Sequence, residues 1–488
     1  MDLKLDRVSR PLPTGLFIDG QWRSASDGNT YEVVNPVDGA VVAAVADASV
    51  TDGWAALAAA ASAQPAWASW SARDRASVLR GAHDLLLDRA EELAVAVVYE
   101  TGKPLAEARG EVLAGAEALL WNIEQAAHIH GTIAPSSHGG FDVISRYAPV
   151  GPCLLITPWN FPVLTPQRKI GAALAAGCTV IFKPAPQTPL AALMLTEIFN
   201  DAGLPPGVFN LLTTTRDRKI SAALMQDLRL RKVSFTGSTA GGSNVLGQAA
   251  SLAINTSMEL GGDAPFIVLA RADVDLAVEQ AIASKYRNAG QVCIAPNRFI
   301  LHTAIADEFT DKFVTAVAQL PVGDGFADGT LVGPMISAAQ RDRAVAMIDE
   351  AVRGGARVLT GGNVPDRPGF FLAPTVLADI PAGVSLSCDE IFAPVAALYR
   401  VESSEEAVRL ANDTDRGLAA YVFSADLAEA LHVGGRIEAG IVGVNRGTIT
   451  DPAAPFGGVK TSGIGREGGH YAIHEYLEVK YLAVTTDA

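Results

Sequence analysis

The sequence predicts an α/β protein built from two units, each a parallel β-sheet with helices on both faces. From Pro149 onwards, short β-rich runs alternate with helical stretches, and a second alternating series runs from about Ala264 to about Val444. Such alternation implies right-handed crossovers and parallel sheets. Two more strand-like segments, Phe141–Arg146 and Tyr476–Val484, fit neither series. A cleft between two α/β units is a common place for a ligand site.

The elements follow from periodicity and from helix-stopping residues. Residues 75–130 are predicted to be helical, because Ala, Leu, Glu and Arg dominate and apolar positions recur every three or four residues. The first alternating series comprises strand Cys153–Thr157, helix Thr165–Ala176 stopped by Gly177, strand Thr179–Phe182, a helix from about Pro189 to Ala202, and strands Val208–Leu212 and Lys232–Phe235. The second contains strands Phe266–Leu269, Arg298–Leu301, Ala420–Phe423 and Ile441–Val444. The two unassigned segments could pair with each other or with another subunit.

Composition excludes several classes of protein. The chain has 488 residues, 49% of them hydrophobic and 19% charged, with a net charge of −15. This is a globular composition, and the acidic balance argues against nucleic-acid binding. We expect no secretory signal in the first residues and no membrane-spanning run, and four cysteines are too few for a disulfide framework. The expected location is therefore the cytoplasm.

Three polar residues stand where catalytic groups would be useful. Cys293 follows a run of small residues that leave room around its thiol, and Glu259 ends a β-run just before two glycines. Asn160 lies between two prolines, in a stiff loop where its amide could donate to an oxyanion. The alternatives are an inert core cysteine, an exposed strand-end carboxylate and a turn asparagine. Of the other cysteines, Cys153 and Cys178 are predicted to lie in apolar core strands, whereas Cys388 adjoins two acidic residues.

A phosphate site is predicted at Ser234–Thr239. A β-run ends at Phe235, Gly237 would let the backbone approach a ligand, and the helix that starts after Ser238 would favour an anion. A plain strand–turn–helix is the alternative. The glycine fingerprint at Gly463 is not such a site, because too little chain follows it for a βαβ unit.

No metal site is predicted. His470 and His474 have helical i, i+4 spacing, but neither a glutamate motif nor a third ligand accompanies them. A serine-hydrolase elbow is likewise unsupported.

Taken together, these segments resemble the aldehyde dehydrogenase superfamily over nearly the whole chain, from Phe17–Gly20 onwards. Seven blocks occur in the family's order: Pro158–Pro162, Phe182–Pro184, Phe235–Ser238, Glu259–Gly262, Gly290–Cys293, Glu390–Phe392, and Pro455–Gly458 running on to Gly465–Glu467. Each block alone is weak evidence, but seven in order make a chance match implausible.

The resemblance implies a domain organisation. It comprises a Rossmann-like cofactor domain (1–126 and 150–261), a catalytic domain (262–461) and a small β-arm (127–149 and 470–488) that forms a homo-oligomer, either a dimer or a tetramer. Both larger domains would be doubly wound.

The resemblance also implies a mechanism. The Cys293 thiolate would attack the aldehyde, Asn160 and the Cys293 amide would hold the oxyanion, and hydride transfer to nicotinamide would leave a thioester. Glu259 would then activate water. Lys169 and Glu467 match positions implicated in proton relay or in ordering the site.

The cofactor is expected to be NAD or NADP. Lys183 matches the family's ligand for the adenosine ribose, Ser238 its pyrophosphate contact and Glu390 its nicotinamide-ribose ligand. The remaining expected cofactor contacts are Ile156, Thr157, Trp159, Phe235, Gly237 and Phe392. Many NAD-preferring members carry an acidic residue where this chain has Pro186. Because that carboxylate would repel a 2′-phosphate, we predict NADP use at least comparable with NAD use.

Within the superfamily, the chain is most similar to succinate-semialdehyde dehydrogenases, as judged by Arg168–Gly177, Pro455–Lys460 and Glu475–Glu478. In that subgroup two arginines and a hydroxyl hold the substrate carboxylate, and Arg168, Arg287 and Thr450 match those positions. The alternative role for the arginines is structural ion pairing.

Two other functions stay open. One is oxidation of an aromatic, hydroxy- or longer-chain aldehyde, with Trp159, Phe161 and Phe456 shaping an apolar tunnel. The other is a catalytically silent binding protein that keeps the fold, against which intact Cys293, Glu259 and Asn160 argue.

Overall fold

A computed structural model describes residues 2–3, 5 and 7–485. Its strands, in chain order, are β1 (Asp2–Leu3), β2 (Leu12–Pro13), β3 (Leu16–Ile18), β4 (Gln21–Arg23), β5 (Thr30–Val34), β6 (Val41–Ala46), β7 (Thr132–Pro135), β8 (Asp142–Pro149), β9 (Cys153–Ile156), β10 (Val180–Lys183), β11 (Phe209–Leu211), β12 (Lys232–Thr236), β13 (Asn255–Glu259), β14 (Ala264–Val268), β15 (Pro296–His302), β16 (Arg357–Thr360), β17 (Thr375–Ala378), β18 (Val395–Val401), β19 (Arg416–Gly417), β20 (Ala419–Phe423), β21 (Ile441–Val444), β22 (Val459–Lys460), β23 (Gly463–Ile464) and β24 (Leu477–Val484).

The α-helices of the described residues are α1 (Val50–Ser69), α2 (Ala72–Asp88), α3 (Ala90–Thr101), α4 (Leu105–Gln125), α5 (Leu164–Ala176), α6 (Pro189–Asp201), α7 (Asp217–Leu224), α8 (Thr239–Ala249), α9 (Val274–Lys285), α10 (Thr303–Ala318), α11 (Ala338–Arg353), α12 (Ser385–Cys388), α13 (Ser404–Asn412), α14 (Leu427–Gly434) and α15 (Tyr471–His474). Short 3₁₀ segments occupy Ala126–His128, Ala250–Leu252 and Arg287–Gly290.

The first large sheet has eight strands in the order β23-β13-β12-β9-β10-β11-β3-β4. Strands β13, β12, β9, β10 and β11 run parallel, whereas β23 at one edge and the pair β3 and β4 at the other are joined by antiparallel pairing. The chain leaves β9 towards β10 on one side and later returns to β12 on the other. This reversal makes a topological switch point, outside which α/β proteins bind ligands.

The second large sheet has seven strands in the order β16-β17-β18-β15-β14-β20-β21. Its strands pair in parallel except for β16, which is antiparallel to β17. The two predicted doubly wound sheets are therefore confirmed, with antiparallel strands confined to their edges.

Helices cover both faces of each sheet, which explains why the strands are apolar without alternation. In β9, Cys153 and Leu155 pack into one hydrophobic cluster, and Leu154 and Ile156 pack into another. In β14, Phe266 and Ile267 divide in the same way between two clusters of the second unit.

The two strand-like segments that fit neither alternating series, Phe141–Arg146 and Tyr476–Val484, pair with each other. Strand β24 is antiparallel to β8 along its whole length, and β7 completes a three-stranded sheet. This sheet covers parts of the segments predicted as the β-arm. The exact domain boundaries stay a prediction.

Two local expectations need correction. The helical region 75–130 is divided into α2, α3 and α4. Helix α2 ends before Arg89, and α3 ends at Thr101 because Gly102 adopts a left-handed conformation and Pro104 follows it. Cys178 lies in the turn between α5 and β10 rather than in a strand, although it is buried.

Of the helices in the described ranges, none is both long and apolar enough to span a bilayer.

Candidate active site

A cavity of about 420 Å³ opens at the switch point of the first sheet. The carboxyl ends of β9, β10, β12 and β13 contribute one wall, and the loops that precede β15, β18 and β20 contribute the other. Every predicted site residue except Lys169 lines it. The lining ones are Ile156, Thr157, Trp159, Asn160, Phe161, Arg168, Lys183, Pro186, Phe235, Gly237, Ser238, Glu259, Arg287, Cys293, Glu390, Phe392, Thr450, Phe456 and Glu467.

Cys293 is partly accessible and follows an unusual backbone segment. Asn288, Ala289 and Gly290 all have positive φ angles, of 49°, 54° and 70°. Left-handed backbone costs roughly 1–2 kcal/mol for each non-glycine residue, so tertiary contacts must hold it. At Gly290 a Cβ would lie 2.1 Å from the Ala393 carbonyl oxygen, so only glycine fits there.

Hydrogen bonds stabilise this segment. The Asn288 backbone N–H donates to Glu107 Oε2 at 2.8 Å, and the Gln291 side-chain amide donates to the Asn288 carbonyl at 3.0 Å. Gln291 Oε1 also accepts from the Ile336 N–H at 2.8 Å. The loop that bears Cys293 is therefore anchored to α4 and to the segment before α11.

Asn160 is held so that its amide faces the same cavity as Cys293. Its Nδ2 donates to the Gln291 carbonyl at 3.0 Å, which leaves a second N–H of that amide for another acceptor. The backbone carbonyl oxygen of Asn160 accepts hydrogen bonds from Lys103 Nζ at 2.7 Å and from Asn288 Nδ2 at 3.1 Å. The loop that bears Asn160 and the loop that bears Cys293 are thus joined directly.

A buried ion pair supports the Asn160 loop from behind. Lys103 Nζ lies 2.6 Å from Glu111 Oε2, and each side chain is about 1% exposed. Glu111 Oε1 accepts from the Val163 and Leu164 N–H groups at 2.8 and 3.3 Å, and the Lys103 ammonium lies 4.5 Å from the Phe161 ring centre. One pair of charges therefore holds both ends of the loop.

Replacing Glu111 by glutamine should destabilise the protein by about 3 kcal/mol, because it leaves the Lys103 charge buried without its partner. The midpoint of urea denaturation should therefore fall. The matched control is Glu91→Gln at the half-exposed Glu91–Arg109 pair, which is also 2.6 Å long. That change should cost less than about 1 kcal/mol. Equal effects of the two substitutions would contradict the prediction.

Glu259 ends β13 and is 4% exposed. Burial, followed by the charge on Glu467, raises the pKa of the Glu259 carboxyl well above its usual value. A Cβ on Gly262 would lie 2.2 Å from the Cys293 carbonyl oxygen, so this glycine lets the loop after Glu259 pass against the loop that bears Cys293.

Lys169 is buried behind the cavity wall and pairs with Glu467 across a distance of 2.6 Å. Its ammonium also donates to Ser234 Oγ at 2.7 Å. The Lys169 ammonium is thus fixed beside Glu467, which neighbours Glu259. Its positive charge offsets the repulsion between these two carboxylates and permits both of them to be buried in the same site.

The Cys293 thiol is a weak acid in this environment. Burial, and then the charges on Glu390 and Glu259, raises its pKa to about 12, although Arg168 and Arg287 act in the opposite direction. Formation of the thiolate near neutral pH therefore requires a base.

The dinucleotide end of the cavity fits its expected ligand. The hydroxyls of Thr157 and Thr236 are buried there and have no hydrogen-bond partner among the described residues. Ser238 caps α8, and Glu390 Oε1 accepts from the Gly262 N–H at 3.1 Å. The Phe392 ring packs edge-on against Trp159 at 5.5 Å. These unused hydroxyls and aromatic walls suit a ribose–phosphate chain and a ring.

Two arginines face the cavity from different elements. The Arg168 guanidinium lies 4.3 Å from the Phe456 ring centre, and the Arg287 guanidinium lies 5.3 Å from the Phe161 ring centre. Within the described ranges, no carboxylate oxygen comes within 4.0 Å of either group. The structural ion pairs considered as an alternative are therefore absent from this part of the chain, and Thr450 lines the same cavity.

Several supporting residues escape sequence reasoning. Lys103, Glu107 and Glu111 look like ordinary helix-region charges, and only their burial reveals the clamp around Asn160. Asp217 lines the cavity beside Lys183, but no local motif indicates this position. At Gly237 a Cβ would lie 2.7 Å from the Phe235 ring, so this glycine makes room for a side chain of its own loop.

The structure offers no clustered metal ligands in residues 7–485. His470 precedes α15 and His474 ends it, and the His474 ring packs against Tyr147. No group of three His, Cys, Asp or Glu side chains in these residues is arranged to hold a metal ion.

Comparison with known proteins identifies close relatives. The model of the aldehyde dehydrogenase family matches residues 22–482. A succinate-semialdehyde dehydrogenase of Paenarthrobacter nicotinovorans is 46% identical, with 91% of this chain and 99% of that protein aligned. The NADP(+) succinate-semialdehyde dehydrogenase of Escherichia coli (strain K12) is 42% identical, with 96% and 97% aligned.

Solved structures agree closely with this one. An NADP-dependent enzyme of E. coli superposes with a TM-score of 0.96 at 41% identity, covering 97% of this chain and 98% of that one. Betaine aldehyde dehydrogenase of Staphylococcus aureus, in complex with NAD+, superposes with a TM-score of 0.95 at 32% identity, covering 98% and 95%.

Proposed function

We propose that this chain, which belongs to the aldehyde dehydrogenase family and is an NAD(P)-dependent oxidoreductase acting on aldehydes, oxidises succinic semialdehyde to succinate. The observation that carries this substrate is the pair of cavity-facing guanidinium groups, Arg168 and Arg287, which have no carboxylate partner among the residues that the structure describes. Both guanidinium groups are half-buried and positively charged, so an anionic substrate would pair with them in the cavity.

The arginines suit a carboxylate in particular. A planar guanidinium binds carboxylate through two parallel hydrogen bonds, and each stacks on an aromatic ring that limits its movement. Thr450 adds a hydroxyl donor on the same side. Relatives of this chain that carry the name succinate-semialdehyde dehydrogenase support the assignment.

The chain's own residues would perform the chemistry in two stages. A hydroxide ion from the solvent would take the proton of Cys293 in the cavity, and the sulfur would bond to the aldehyde carbon. The free N–H of the Asn160 amide would hold the oxyanion. After oxidation to the Cys293 thioester, Glu259 would accept a proton from the water that releases the acid. Lys169 would hold the Glu467 side chain in place through their ion pair of 2.6 Å.

The cofactor, when bound, supplies the hydride acceptor. Lys183 and Ser238 would hold its adenosine ribose and pyrophosphate, and Glu390 would hold the nicotinamide ribose. Burial raises the pKa of Glu390 to about 7, so the charge on this ribose ligand should be sensitive to pH near neutrality.

Replacing Arg168 or Arg287 by alanine should raise KM for succinic semialdehyde at least about tenfold, because a charged hydrogen bond is worth roughly 1.5–3 kcal/mol. KM for butanal, which has no carboxylate, should change less than about threefold. Steady-state kinetics with both aldehydes tests this. Arg271→Ala, at an exposed pair with Asp426, is the matched control and should alter neither KM. Equal losses for the two substrates would count against carboxylate recognition.

An aromatic or longer-chain aldehyde is the second candidate, favoured by the aromatic walls of Trp159, Phe161 and Phe456. A panel of aldehydes with and without a terminal carboxylate, run with each cofactor, separates the two. A preference for benzaldehyde over both succinic and glutaric semialdehyde would replace the proposed substrate. A lack of turnover with every aldehyde would favour a silent binding protein.

We also propose that the enzyme is a cytoplasmic homo-oligomer assembled through the β-arm. The three-stranded sheet β7-β8-β24 exposes large apolar side chains, among them Ile133, Val479 and Tyr481, at 54–73% of their surface. Clustered exposed apolar groups of this kind usually mark protein contacts. Sedimentation analysis would show a dimer or a tetramer.

A further inference from the structure

The adenosine end of the cavity contains an acidic side chain that the sequence pattern does not reveal. Asp217 is the first residue of α7 and lines the cavity together with Lys183 and Pro186. Its Oδ2 lies 3.9 Å from Lys183 Nζ, and its side chain is half exposed whereas that of Lys183 is 3% exposed. A carboxylate therefore faces the same lysine that is proposed to hold the adenosine ribose.

The loop that presents Asp217 is fixed in place. Thr214 Oγ1 and the Thr215 N–H donate to Asp47 Oδ1 at 2.8 and 2.9 Å. The other carboxylate oxygen of Asp217, Oδ1, accepts from the Arg218 N–H at 2.8 Å. One oxygen is thus engaged at the helix start, and the other remains directed towards Lys183.

The neighbouring arginine does not offset this negative charge. The Arg216 guanidinium pairs with Asp27 at 2.6 Å and with Asp47 at 3.5 Å, so two carboxylates already neutralise it. The next basic residues, Arg218 and Lys219, are exposed. At the ribose end the cavity therefore offers one buried ammonium and one carboxylate beside it.

This pair suits ribose hydroxyls better than a phosphate. A hydroxyl can accept from the ammonium and donate to the carboxylate at once, whereas a 2′-phosphate is repelled by the carboxylate and competes with it for the lysine. We propose that Asp217 is a specificity-determining residue that makes the enzyme prefer NAD to NADP. This proposal rests on the proposed function. It would supply the carboxylate that Pro186 does not, so NADP would bind more weakly than NAD although either could serve as the cofactor.

The experiment measures cofactor binding without aldehyde. Titrations of wild type with NADH and NADPH, followed by the quenching of tryptophan fluorescence, should give at least about tenfold tighter binding of NADH. In Asp217→Asn the affinity for NADPH should rise about tenfold while that for NADH changes less than about threefold. Asp217→Glu, which keeps the charge, should retain the wild-type preference.

The control is Asp275→Asn, another first-turn helix acid paired with a lysine, Lys312, at 2.6 Å on the surface. It should leave both affinities unchanged. The preference should also shrink as salt rises, because the half-exposed carboxylate is screened.

A wild type that binds NADPH as tightly as NADH overturns the proposal, as does an Asp217→Asn variant whose NADH to NADPH affinity ratio is unchanged. Failure to oxidise any aldehyde, with the binding preference intact, would instead contradict the proposed function alone.

Discussion

Replacing Cys293 by serine should lower aldehyde oxidation at least about a thousandfold, because an alcohol in this site is a far weaker nucleophile than a thiolate. Binding of NADH should be retained, since the cofactor contacts lie on other residues. Cys388→Ser, which removes an exposed cysteine, is the control and should leave the rate unchanged. A serine variant that turns over undiminished would remove the basis of the proposed mechanism.

The raised pKa of the Cys293 thiol predicts how kcat/KM depends on pH. The pKa of the Cys293 thiol is raised to about 12, so the thiolate fraction grows with pH throughout the measurable range. Since the thiolate is the reactive form, kcat/KM should rise from about pH 6 to about pH 9. A rate that falls over this interval would show that another ionisation governs acylation.

Replacing Glu259 by glutamine should lower kcat by roughly 10²–10⁴, the usual contribution of a general base. The amide cannot accept a proton from water, so the Cys293 thioester should accumulate. Intact mass spectrometry would detect it as an added acyl group, and stopped-flow absorbance would show slow turnover after the first equivalent of NADH or NADPH. An equally slow first turnover without acylation would assign Glu259 to an earlier step.

Glu467 provides the companion test for Glu259. Its charge raises the pKa of Glu259, and it engages Lys169 at 2.6 Å. In Glu467→Gln that repulsion is lost and the lysine charge is uncompensated, so the pKa of Glu259 should fall. Because the ionised carboxylate is the base, the rising limb of the kcat profile should move to lower pH. A shift to higher pH would contradict this electrostatic interpretation.

Much of the site could be predicted because its residues sit in local patterns. Cys293, Glu259 and Asn160 each follow or end a regular segment, and the blocks around them match one family in order. Each strand that the sequence pattern assigned to one of the two large sheets begins and ends within two residues of its predicted bounds. Short apolar runs between glycines and helices define these strands well. Pairing of β8 with β24 was one of two options, and backbone hydrogen bonding decides between them.

The amino-acid sequence alone therefore determined the two-sheet architecture, which follows from periodicity. It predicted a nucleophile, a base and an oxyanion donor through blocks of residues that resemble one family. Only the tertiary structure decided which distant side chains meet. It joined Lys103 to the Asn160 carbonyl, held Asn288 and Ala289 in left-handed conformations, and set Asp217 beside Lys183. Burial and long-range packing create these contacts, and no local pattern along the chain encodes them.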